Sequence, residues 1–181
     1  MGDRVVIVDY DPAWPVMFAD LGAGLRRALG DVAVRIDHIG STSVPGLAAK
    51  PVIDVQISVG SFDPPAAFTA PLEGLGFVYR DTNPDRTKRY FREAPGRRRT
   101  HIHVRREGSF SQQFSLLFRD YLRGHPAAAA EYAAVKRRAA AVFADDRKAY
   151  GEAKETCIWD LIRRADAWAQ DTGWAPGPGD S

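Results

Sequence analysis

Residues 38–59 of the chain bring together small hydroxyl-bearing residues, a lysine and a carboxylate at spacings that suit the handling of phosphates. Gly40, Ser41, Thr42 and Ser43 make a glycine–serine turn, and Asp54 begins the polar side of the strand that follows. Glycine lets the backbone approach a ligand closely. Consecutive main-chain N–H groups in such a turn can form an anion-binding concavity. Lys50 adds a positive charge four positions before Asp54, and the carboxylate can hold a divalent cation. The layout suits a nucleoside triphosphate bound with a metal. The second acid wanted two positions further on is replaced by Gln56, whose amide oxygen is a poorer, uncharged ligand for Mg²⁺. Each piece alone has a plainer reading: a lone turn is usually only a turn. A lone aspartate is usually solvated or salt-bridged, although aspartate is disfavoured in strands and one placed there invites a reason.

A second constellation is Thr100-His101-Ile102-His103-Val104. Alternation turns Ile102 and Val104 to the core and His101, His103 and Arg105 to the opposite face. Two histidines at i and i+2 can reach one ligand. A general-base or phosphate-contacting role is favoured over zinc, because no cysteine or third histidine has suitable spacing. On the residues alone, a pair satisfied by neighbouring carboxylates stands equal to it. Arginines and lysines gather at 86–99, and Arg89 is the candidate phosphate clamp among them, since guanidinium binds phosphate bidentately. The plain alternative is a solvated basic surface.

These residues need elements to position them. Val34 and Ile36 read as a short strand that delivers Gly40 and Ser41 to the turn. After Pro51, Ile53, Val55, Ile57 and Val59 alternate with Asp54, Gln56 and Ser58, which is a strand with one apolar and one polar face. Upstream, Val5–Val8 reads as a strand or extended lead-in. Asp11-Pro12 then starts a helix carrying Trp14, Phe18, Leu21, Leu25 and Leu29, stopped by Gly30. A helical stretch within 62–76 and antiparallel strands at 77–80 and 89–92 lead to the histidine strand. Helices are expected over 111–123, 127–144 and 146–169, with a mobile tail over 171–181. The order predicts a single α+β domain over 1–170: a mixed β-sheet flanked by helices, with a helical C-terminal part at about 110–170.

Composition sets the remaining bounds. The 181 residues carry a formal net charge of +2, so nothing calls for a dedicated nucleic-acid site. No apolar stretch suits a bilayer and no secretory leader is read, so a cytoplasmic protein without a membrane partner is expected. Cys157, the sole cysteine, excludes an internal disulfide and reads as a buried thiol. Trp14 reads as core.

Several stretches together resemble a known family. VVIVDYDPAWPVMF at 5–18, HIGSTSVPGLAAKPVID at 38–54, THIHV at 100–104, FRDYLRGHP at 118–126 and the EYAAVK…Y…K pattern at 131–154 resemble the GrpB (UPF0157) family of the nucleotidyltransferase superfamily. The resemblance implies a nucleotidyltransferase-like fold that uses a nucleoside triphosphate, ATP first among them, with Mg²⁺. It places Asp54 and Gln56 at the metal position. That fold carries a third acid on a neighbouring strand, ground that His103 and His101 would occupy here. It draws Arg119, Asp120 and His125 toward function, where the pattern alone reads as an exposed helix with local ion pairs. It also lets Lys136, Tyr150 and Lys154 complete the nucleotide pocket from the helical end, although both lysines equally suit a helix surface.

Two functions follow. One is nucleotidyl transfer to, or ATP-dependent activation of, an unidentified acceptor. The other is a catalytically impaired nucleotide- or anion-binding module of the same fold, for which Gln56 argues.

Overall fold

The computed structural model describes residues 4–181. Strands and helices mix first: α1 (Trp14–Leu29), β1 (Arg35–Ile39), β2 (Ile53–Val59), α2 (Ala66–Gly74), β3 (Phe77–Tyr79), β4 (Lys88–Glu93) and β5 (Thr100–Arg106). Helices follow: α3 (Phe110–Gly124), α4 (Pro126–Val142), α5 (Arg147–Glu152) and α6 (Glu155–Thr172). The α+β order expected from the sequence is the one that forms. Of the two readings of the run 5–8, the extended lead-in forms, with a single bridge from Val8 to Ala49. One element differs in detail. The helix expected over 146–169 is two helices: Gly151 weakens the first, and at the break the N–H of Lys154 bonds the carbonyl of Gly151, three residues back instead of four.

The five strands form one sheet in the order β1-β2-β5-β4-β3. The central β2–β5 pair is parallel and its neighbours are antiparallel. The alternation in β2 sets what each face can do. Ile53, Val55 and Ile57 lie with Ile102, Val104 and Phe91 under Trp14, Phe18, Leu25 and Leu29 of α1 and Phe68 and Leu72 of α2. Fully burying a side chain of this size contributes about 1.5–3 kcal/mol.

The other face is polar. The register sets Asp54 beside His101 and Gln56 beside His103, with Tyr90 of β4 opposite His103. Helix α3 covers one end of this face, sending buried Gln112 and Arg119 down onto it. A second apolar cluster joins Tyr121 and Leu122 of α3, Ala129 and Tyr132 of α4 and Leu161 and Ala165 of α6 to Val44, Leu47 and Ala48 after the glycine–serine turn. The helical end is thereby bound to that turn.

The terminal segment, expected to be mobile, makes several contacts. The Asp180 carboxylate accepts from the N–H of His38 and from Arg119, each at 2.9 Å, and the N–H of Ser181 donates to the carbonyl of Ile36. Among the described residues no helix is long and apolar enough to cross a membrane.

Candidate active site

The glycine–serine turn is held from both sides. Gly40 has φ 71° and ψ −174°, a conformation essentially reserved for glycine. The Ser43 hydroxyl closes the turn by donating to the carbonyl of Gly40. Thr42 donates its hydroxyl proton to the carbonyl of Val52 at 3.1 Å, so at 3.0 Å it accepts from Nε2–H of His38. The His38 ring stacks on Phe18 at 4.7 Å. Burial, with the charge of Arg123 adding, pushes its pKa down to about 4 and keeps it neutral. The chain His38–Thr42–Val52 thus ties the turn to the start of β2, which carries Asp54.

Above the turn lies a cavity of about 230 Å³ lined by Gly40, Ser41, Thr42, Lys50, Asp54, His101, Tyr132, Lys136, Tyr150 and Lys154, with Ala49 and Val52. Lys136 reaches down from α4 and donates to the Ser41 hydroxyl at 2.8 Å and to the carbonyl of Ala48. Its ammonium stands 4.6 Å from the Tyr132 ring centroid, and that of Lys154 stands 4.3 Å from Tyr150. Burial pushes Lys136 down to about 7 and Lys154 to about 8, each lowered further by neighbouring lysines. Burial lowers Lys50 as well, with the charge of Arg147 adding. The Tyr150 residue is 2 % exposed, and its hydroxyl has no hydrogen-bond partner. An unsatisfied buried hydroxyl costs about 1–3 kcal/mol. Three crowded ammonium groups and an orphan hydroxyl suit an incoming anion.

At the inner end, Asp54 Oδ1 lies 3.2 Å from Nδ1 of His101 and 3.2 Å from Nε2 of His103. Burial works to raise the Asp54 carboxyl, but hydrogen bonds from both imidazoles outweigh it and hold it well below the usual carboxylate range. Burial pushes His103 down to about 4, against the pull of Asp54, so the ring is neutral at pH 7.

The remaining candidates stand apart from this cavity. Gln56 is fully buried beneath α3: its Oε1 accepts from Arg105 at 2.6 Å and its Nε2 donates to the carbonyl of Gln112 at 3.3 Å. Ser43 is turned into the loop, and its carbonyl accepts from Arg123 at 2.9 Å. Arg89 pairs in register with Val104, which places it on the face opposite Asp54, with its guanidinium over the Phe62 ring at 4.2 Å. Arg119 is buried between Asp37, Asp120 and Asp180 and also donates to the carbonyl of His38 at 3.2 Å. It joins α3 to β1. His125 donates its Nδ1–H to the carbonyl of Tyr121, 2.7 Å away, and stacks on the Tyr121 ring at 4.1 Å. Sequence reasoning missed His38 and Tyr132. The first sits four residues from Thr42 in the same motif, a signal that was available; the second lies in an alanine-rich helix whose pattern marks no site.

A larger cavity of about 380 Å³ opens near Met17, Leu21, Phe77 and Arg97, but it contains none of the candidate residues.

The family described as GrpB protein matches residues 4–164. The chain belongs to the GrpB family. Among GrpB relatives, UPF0157 protein PA4798 of Pseudomonas aeruginosa is 39% identical over 90% of this chain and 68% of its own length. UPF0157 protein YqkA of Bacillus subtilis is 34% identical over 96% of this chain and 51% of its own. A protein named dephospho-CoA kinase in Mycolicibacterium paratuberculosis is 37% identical over 95% of this chain and 48% of its own. The chain thus spans about half the length of the latter two. The crystal structure of conserved protein GrpB from Enterococcus faecalis superposes with TM-score 0.82 at 31% identity, covering 90% of this chain and 99% of that one. Cid1, described as having RNA terminal uridylyl transferase activity, superposes with TM-score 0.52 at 16% identity over 72% of this chain and 42% of its own. The GrpB fold is therefore nucleotidyltransferase-like.

Proposed function

We propose that this chain binds a nucleoside triphosphate in the cavity above the Gly40–Thr42 turn and transfers its nucleotidyl group to an acceptor. One observation carries the reading: Lys50, Lys136, Lys154 and the unpartnered hydroxyl of Tyr150 converge on the turn and on Asp54. The β and γ phosphates lie against the turn and the ammonium groups. The α-phosphorus then sits near Asp54 and the histidine pair. An acceptor oxygen attacks that phosphorus, a hydroxyl acceptor giving its proton to the His101–His103 pair, the bond to the bridging oxygen breaks, and diphosphate leaves with its charge held by the lysines. Positioning and charge stabilisation supply most of the catalysis in such reactions. ATP is the first nucleotide to test.

The magnesium implied by the fold is not matched by the donors. Mg²⁺ demands near-octahedral oxygen ligation. Here a single carboxylate stands with two imidazoles, and the Gln56 oxygen is occupied by Arg105. No step is assigned to Mg²⁺. That mismatch also favours the second reading, a nucleotide-binding module without transfer chemistry.

Calorimetric titration with ATP, CTP, GTP and UTP in chelator tests the cavity. Micromolar binding of at least one nucleotide, weakened by about tenfold or more in Lys136→Ala, supports the reading; absence of binding by all four overturns it. Release of diphosphate in the presence of an acceptor separates enzyme from module.

A further inference from the structure

We propose that Asp54, His101 and His103 form a binding site for a divalent first-row transition metal of the cobalt, nickel or zinc class. Asp54 Oδ1, His101 Nδ1 and His103 Nε2 are the ligand atoms. The three residues offer donor atoms that all lie within 4.8 Å of one another. The parallel register of β2 and β5 produces this grouping: it sets Asp54 beside His101, and His103 follows two residues along on the same face.

Two of the three ligand separations match one ion, and the third is within 4.8 Å. Ligands about 2.1 Å from a common metal lie roughly 3.0–3.4 Å apart at octahedral or tetrahedral angles. Both nitrogens stand 3.2 Å from the same carboxylate oxygen. That distance is long for a hydrogen bond, and one oxygen serves two donors. The outer nitrogens, Nε2 of His101 and Nδ1 of His103, are buried without hydrogen-bond partners. No other group therefore holds a tautomer. The ring protons can move to the outer nitrogens and leave both inner lone pairs for an ion.

Donor type decides the class. Imidazole nitrogen suits zinc, iron, nickel and cobalt, whereas magnesium, calcium and manganese take oxygen. Gln56, the residue that could have added an oxygen, is engaged by Arg105 and by the carbonyl of Gln112. Three protein ligands leave coordination positions open, as in catalytic and not structural metal sites. Asp54 and His101 line the lysine-rich cavity, so those positions face it. The role of the ion rests on the proposed function, because a triphosphate in that cavity would supply the remaining oxygen ligands. The protein ligand set does not depend on that reading.

The test uses untagged full-length protein stripped by chelator, with no nucleotide present. Co²⁺ is titrated in while its d–d absorption is followed, and Zn²⁺, Mn²⁺ and Mg²⁺ then compete for the site. We expect one Co²⁺ per chain, displaced by Zn²⁺, with Mg²⁺ weaker by roughly 100-fold or more. His101→Gln and His103→Gln should each weaken Co²⁺ by about tenfold or more, and His125→Gln, remote from the site, should leave it unchanged. Thermal melting in chelator checks that each variant is folded. Should His103→Gln not fold, the wild-type spectrum and the Mg²⁺ competition decide alone. No Co²⁺ spectrum, equal affinity for Mg²⁺, or indifference of a folded His103→Gln overturns the site. Each of those failures leaves triphosphate binding in chelator untouched, so the two ideas fall separately.

Discussion

Gly40 and Asp54 are in contact across the turn: a Cβ built on Gly40 would stand 2.8 Å from Oδ2 of Asp54 and 3.1 Å from its Cβ. The glycine serves two ends, the unusual backbone conformation and the space for the carboxylate. Gly40→Ala should therefore cost about 1–3 kcal/mol from backbone strain alone. For a chain of this size that is a fall in Tm of about 2–12 °C. Nucleotide and metal binding should fall further than stability does, because Asp54 must move. Thermal melting alongside calorimetry measures both, and a variant with wild-type binding contradicts the contact.

Lys136→Ala removes the ammonium that joins Ser41 to the helical end. Triphosphate affinity should drop by about 10–100-fold, in line with loss of a partly desolvated charge-assisted hydrogen bond of about 1.5–3 kcal/mol. Lys154→Ala should weaken binding less, since its burial penalty is smaller. Direct titration of both variants checks the order.

The lysines also predict a pH dependence. In the empty cavity Lys136 titrates at about 7 and Lys154 at about 8, and only the charged forms attract phosphate. Affinity should fall as pH rises from 7 to 9, and binding should take up protons across that window. Calorimetry in buffers of differing ionisation enthalpy measures the uptake. The stability of the empty protein runs the other way. Each folded pKa lies below the ordinary lysine value, so the unfolded chain binds more protons in this window, and this contribution favours folding more as pH rises.

Gln56→Glu would restore the acid that the sequence pattern lacks. The new carboxylate would replace an oxygen that already accepts from Arg105, whose pKa burial lowers to about 10. It should pair with that arginine and leave Mg²⁺ affinity unchanged. A Mg²⁺ titration of the wild type and the variant decides; a tenfold gain would mean that residue 56 faces the cavity.

Arg119→Ala distinguishes scaffold from pocket. Arg119 is 4 % exposed and bridges carboxylates from β1, α3 and the terminal segment. Removing one partner of a buried ionic cluster costs about 3–5 kcal/mol. Tm should fall clearly, while triphosphate affinity of the folded fraction stays near wild type. A selective loss of affinity with unchanged melting would return Arg119 to the binding machinery.

Local order was readable wherever residue pattern alone decides it. The alternation of Ile53, Val55 and Ile57 settled which way Asp54 would face, and Gly40 marked the turn, because side-chain period and positive φ are properties of the chain itself. The motif at 38–54 likewise pointed to family and fold. Arg89 could not be assigned a face so easily. Its register against Val104 depends on how two strands pair, and a one-residue slip reverses every side chain. Gln56 and Asp54 share a strand face, yet α3 covers one and not the other. Convergence of Lys136, Tyr150 and Lys154 on Ser41 and Asp54 joins segments far apart in the chain, Lys136 and Ser41 being 95 positions apart. Only the packing of the helical end against the turn brings such charges together, because no local pattern encodes distance between remote segments.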